Sequence, residues 1–213
     1  MYKHGKDLVL LDERSIFIDD RVIIGDGVTI YENNRIDGEC VIGDGAVILP
    51  GNYIKNTRIG RGATVDSSRT EDAEIGDGSS VGPFARLRPG ARIMEEAHIG
   101  NFVEVKNATV GARTKIGHLA YVGDADLGAD CNIGCGAIFV NYNGRTKGRT
   151  AVGDNCFIGS NCNIIAPVNI AKNSYVCAGT TVTDEVQEDE FVIGRVRQTA
   201  KQGRAHEYLK KMV

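Results

Sequence analysis

The 213-residue sequence has no tryptophan, four prolines, four histidines and only 6% aromatic residues. A core built without large rings has to be aliphatic, and a hydrophobic content of 42% can supply one. There is no run of five or six basic residues, and the formal net charge is −3. Nucleic acid is therefore a poor partner. No apolar run reaches membrane length, and the first residues lack the charged-then-apolar pattern of a signal segment. The expected location is the cytoplasm, with no membrane partner. None of the six cysteines forms a C-x-x-C pair, which argues against a zinc ribbon.

Glycine is plentiful: 27 residues, against a usual share of about 7%. Abundant glycine with little proline, at regular spacing, points to tight corners in a repeat. Aliphatic residues recur every six positions, as in Ile18, Ile24, Ile30, Ile36, Ile42, Ile48 and Ile54. The period returns at Ile75–Val105 and again at Val152–Val182, and it blurs between Asp66 and Glu74. Two residues before each aliphatic stands a small one: Ala46, Ala63, Ser79, Ala91, Ala120 and their equivalents. Positions two apart on a strand share a face, so each unit points one large and one small side chain inward. Three such units make an 18-residue triangular coil, and coils stack about 4.8 Å apart. Each coil buries its faces only against its neighbours. The fold expected is all-β, a parallel β-helix. Cys40, Cys131, Cys156 and Cys162 fall on the small inward position and read as core packing. Asn34 and Asn52 share that position 18 residues apart and should form a hydrogen-bonded ladder. The boundaries expected are a lead-in over 1–16, the coil over 17–186 and an arm over 187–213.

Chemistry is to be sought where the repeat is broken. From Phe139 to Val152 the step is 13 residues, so a loop is extruded within 140–151, with a turn at Asn143-Gly144. Arg88 and Lys106 are 18 apart and should project side by side, where an anion such as a phosphate would relieve their repulsion. Water would also accommodate both. His118 interrupts the unit "KIGHLAYVGD" at a corner, as an idle surface residue or as a general base suited to neutral pH.

The stretches "GPFARLRPG" (82–90), "HIGNFVEVK" (98–106), "GHLAYVGDADLGADCNIGCG" (117–136), "NYNGRTK" (141–147) and "AGTTVT" (178–183) carry a family likeness. Together they resemble the C-terminal acetyltransferase domain of the bifunctional N-acetylglucosamine-1-phosphate uridylyltransferase/glucosamine-1-phosphate N-acetyltransferases. The resemblance is strong over Gly76–Gln198. It implies a left-handed coil, a homotrimer with sites between subunits, and acetyl transfer from acetyl-CoA to the amine of glucosamine 1-phosphate without a metal. It implies that His118 is the base. Arg88, Lys106 and Lys147 would hold the sugar phosphate, and Tyr121, Asn132 and Asn141 the sugar. Ser160, Ala178 and Arg195 would bind the donor, with Tyr142 nearby. Position 135, usually a small alanine beside the acetyl group, is Cys135 here. The nucleotide-transfer half of the family has no counterpart in this sequence, so no uridylyltransferase activity is expected. A different amino sugar, free or nucleotide-linked, is the alternative acceptor. Two other classes fit less well. A zinc carbonic anhydrase needs three converging histidines, and only His98 and His118 lie in the coils. A bare binding scaffold predicts uninterrupted outward rows.

Overall fold

A computed structural model describes residues 2–209. The chain winds as a left-handed parallel β-helix, and nearly all of its strands are two or three residues long. All named strand pairings are parallel; they connect residues roughly 16–25 positions apart, one coil from the next. The first face is a ten-stranded sheet running from Lys3–His4 to Val168–Ile170. The second and third faces join into one 19-stranded sheet. They merge because two long strands, His98–Lys106 and Lys115–Gly123, continue through the corner between them.

The inward pair of each repeat forms the core. Ile24, Ile42, Ile59, Ile75, Ile93, Val110 and Leu127 stack up the first face, and all are buried. Alanines and the four inward cysteines fill the small position, and each of those thiols is buried. The ladder is present: Asn52 Nδ2 donates to Asn34 Oδ1 at 3.0 Å, and Ser68 N–H donates to Asn52 Oδ1 at 2.7 Å. The blur at 66–74 is no break. Ser68 and Thr70 take the small and large inward positions of an otherwise regular coil, and Thr70 Oγ1 donates to Thr57 Oγ1 at 3.2 Å. A hydroxyl partner inside the core satisfies the polar groups that the aliphatic pattern hides.

The coil reaches beyond 17–186. Val9–Leu10 pairs with Thr29–Ile30, and Phe191–Val192 pairs with Tyr175–Val176. These end strands expose Val9 and Phe191, so their sequence signal is weak. Residues 195–209 then leave the coil, exposing Val196 and Tyr208, and end in the short 3-10 turn Ala205–Glu207. Residues 210–213 of the expected arm lie outside the described residues.

Candidate active site

His118 lies where the strand Lys115–Gly123 crosses from the second face to the third. Unbroken pairing sets Asn101 directly opposite it. A Cβ on Gly100 would meet the carbonyl oxygen of Gly117 at 2.0 Å, so glycine is needed for the two crossings to stack. The His118 Nδ1 is 2.7 Å from Asn101 Oδ1. An amide oxygen only accepts, so Nδ1 carries the hydrogen, and in the neutral ring Nε2 keeps its lone pair. The ring is exposed. Phe84, Phe102 and Leu119 flank it in the left-handed region (φ 59°, 57° and 41°) with their side chains outward.

Cys135, Ser160 and Ala178 occupy the same corner on successive coils. Asn161 N–H donates to Cys135 O and Gly179 N–H to Ser160 O, both at 2.8 Å, which fixes the stacking. All three residues are exposed, and their own N–H groups have no intrachain partner among the described residues. Arg195 closes the column by donating to Ala178 O at 2.9 Å. His118, Cys135, Ser160, Ala178 and Arg195 therefore form one line along an edge.

The cations gather at the other end of the third face. Arg88 and Lys106 are adjacent and half-buried. Arg88 is already partnered by Glu104 at 2.8 Å, a carboxylate that the spacing argument did not anticipate. Tyr121 stands between this cluster and His118, on the same strand as His118. Its hydroxyl accepts from Asn141 Nδ2 at 3.5 Å. Asn141 roots the extruded loop: its carbonyl accepts from Gly148 N–H at 2.9 Å, and Tyr142 bridges to Lys147. The expected turn is there, with Asn143 Oδ1 accepting from Arg145 and Thr146 N–H and Gly144 at φ 91°. Arg149 ties the loop's exit to Asp126, at 2.6 and 2.5 Å.

Two expected residues stand apart within one chain. Asn132 lies on the second face, in register with Lys115 and Phe157, on the far side of the His118 corner from Tyr121. Tyr142 lies in the loop beside Lys147, not in the Cys135–Ala178 column. Sequence reasoning missed Asn101, Glu104 and Asp124. Asp124 is only 8% exposed. Burial works to raise its pKa, but hydrogen bonds from Asn107 and Asn141 and the charges of Lys106 and Lys147 hold it below the usual carboxylate range. A surface hollow of about 510 Å³ along Arg58–Arg61 and Glu74–Asp77 lies on the first face, away from these groups.

Family models for the bacterial transferase hexapeptide (six repeats) and for the hexapeptide repeat of succinyl-transferase match residues 72–107 and 149–184. The bifunctional protein GlmU of Clostridium kluyveri is 43% identical over 91% of the chain, and that of a Geobacillus species 45% identical over 92%. The chain belongs to the hexapeptide-repeat family and is homologous to the C-terminal domain of GlmU. It spans 42% of the length of these relatives. The fold recurs in a UDP-N-acetylglucosamine acyltransferase from Bacteroides fragilis, which covers 84% of the chain with a TM-score of 0.59 at 17% identity; 69% of that chain is matched. No helix among the described residues is long and apolar enough to cross a membrane.

Proposed function

We propose that this GlmU homologue transfers an acetyl group from acetyl-CoA to the amine of glucosamine 1-phosphate. The observation that carries the reading is an arrangement on one strand and one edge. His118 has an open Nε2, Tyr121 stands three residues along, Arg88, Lys106 and Lys147 gather beyond it, and the exposed Cys135–Ser160–Ala178 column runs on from His118.

The cations take the phosphate, since charge-assisted bonds to an anion are the strongest available here. Tyr121 and Asn141 hold the sugar. The edge column takes the extended donor, whose thioester supplies an already activated acetyl group. Nε2 of His118 takes a proton from the amine as nitrogen bonds to the acetyl carbon, and the same proton serves the departing sulfur as the carbon–sulfur bond breaks. General-base help of this kind is worth about 10²–10⁴-fold. The free N–H of Cys135 lies one coil from His118 and is suited to the oxygen of the reacting carbonyl. No acyl-enzyme is needed.

The site is open in one chain, and Asn132 and Tyr142 sit apart from the groups they would join. A cyclic trimer with the site between neighbours brings such residues together. The cytosol supplies both substrates.

The test is to incubate the purified chain with acetyl-CoA and glucosamine 1-phosphate and to weigh the product. Separate arms take glucosamine and a nucleotide-linked amino sugar. Preferred acetylation of the sugar phosphate supports the reading. Preference for the nucleotide-linked amine moves the acceptor, and no product in any arm removes the activity.

A further inference from the structure

Asp124 has no part in the transfer as described, yet it is the most buried carboxylate near the site. It occupies a left-handed corner position, φ 48°, directly after Gly123. Its Oδ1 accepts from Asn107 Nδ2 at 2.6 Å and its Oδ2 from Asn141 Nδ2 at 2.5 Å. Its backbone is tied on both sides, N–H to Lys106 O at 3.0 Å and C=O to Thr150 N–H at 3.1 Å. One residue thus touches the coil carrying Lys106, the root of the loop and the strand that ends it.

An ionised carboxylate only accepts hydrogen bonds. Asn141 must therefore turn its Nδ2 inward, and its Oδ1 becomes the face it offers outward. The same Nδ2 reaches the Tyr121 hydroxyl at 3.5 Å. That hydroxyl is used as an acceptor, so its own hydrogen is left to donate. Gly123 permits the closeness: a Cβ there would lie 2.4 Å from the Tyr121 hydroxyl and 2.8 Å from Asn141 Nδ2. We propose that Asp124 is a positioning residue that sets the polarity of the acceptor site, presenting Asn141 as an acceptor and Tyr121 as a donor to the sugar. The proposal rests on the acetyl-transfer reading above and deepens it by naming what the sugar must offer at these two points: a donor at Asn141 and an acceptor at Tyr121.

Coulomb's law makes the proposal testable, because the two possible roles of this anion have opposite signs. A buried negative charge beside Lys106 and Lys147 repels an incoming phosphate. If its field were its main effect, Asp124→Asn would tighten binding of the sugar phosphate. If it orients Asn141, the neutral isostere lets the amides choose either orientation and binding weakens.

The experiment is steady-state kinetics of wild type, Asp124→Asn, Asn141→Ala and the double variant with glucosamine 1-phosphate. Asp124→Asn is expected to raise KM about tenfold with kcat within about threefold, and to add less than about twofold on top of Asn141→Ala. An unchanged or lower KM, or additive effects, overturns the proposal. Should Asp124→Asn fail to fold, side-chain amide NMR of the wild type reads the same contact. A slowly exchanging NH₂ pair that vanishes in Asn141→Ala is expected, and its absence overturns the proposal. Wild-type failure to acetylate the sugar phosphate removes the reading and this inference together. A fully active wild type with an unaltered Asp124→Asn removes only the inference.

Discussion

Asn101 makes one contact that matters for the proposed chemistry, the 2.7 Å bond to His118 Nδ1. Asn101→Ala deletes the acceptor and leaves the imidazole free to carry its hydrogen on either nitrogen and to swing. A neutral hydrogen bond of this kind is worth about 0.5–1.5 kcal/mol. At about 1.4 kcal/mol per decade of rate, kcat should fall about 2- to 12-fold. KM for both substrates should stay within about twofold, because Asn101 lies outside the cation cluster and the edge column. Asn101→Asp asks the complementary question. A carboxylate beside the ring favours the imidazolium, so the acid limb of the pH–rate profile should move up by about one unit or more. Initial rates, followed by mass over roughly pH 5–9, read both effects. Full kcat in Asn101→Ala, or an acid limb that does not rise in Asn101→Asp, would refute the idea that this bond sets the ring's working form.

Asn52→Ala strips the ladder of an NH₂ whose two hydrogens are shared among three acceptors and leaves the buried Ser68 N–H without its acceptor, which should cost about 2–3 kcal/mol in chemical denaturation. A loss under about half a kcal/mol contradicts the ladder's structural role. Lys147→Ala removes the proposed charge-assisted contact to phosphate and should raise KM for glucosamine 1-phosphate at least about tenfold while leaving KM for acetyl-CoA alone. Asp124 has a native pKa below the carboxylate's ordinary value, so its stabilising contribution is fully present above about pH 4 and is lost only as pH falls through the lower native value. Acid titration of the loop, followed by the backbone N–H signals of Gly148 and Thr150, should therefore show release only below about pH 4; release between about pH 5 and 7 contradicts the assignment.

The coil was legible because its rule is simple: one large and one small inward residue every six positions. Ile24 to Leu127 and the inward cysteines follow it and are buried as the period requires. Where polar residues obey the rule, as Ser68 and Thr70 do, hydropathy alone misread continuity as a blur. The terminal strands were missed because a strand covered on one side keeps its outward residue exposed, as at Val9 and Phe191. At the site, the extruded loop and the Arg88–Lys106 pair could be found by counting, since both depend on spacing. The supporting residues could not. Asp124 looks like any other corner residue, because Asp72, Asn107 and Asp130 also adopt the left-handed conformation at corners. Its burial comes from the loop root folding over it, a contact between elements that no local spacing records. Asn101 was hidden for a related reason. It lies on the outward side of the repeat, and its partner is 17 residues away.

The central claim is that His118 is the base for acetyl transfer. The most direct measurement is kcat for His118→Ala with saturating acetyl-CoA and glucosamine 1-phosphate, beside the wild type. The account predicts a fall of about 10²–10⁴-fold with KM for both substrates little changed. A variant that acetylates the sugar phosphate at the wild-type rate contradicts it.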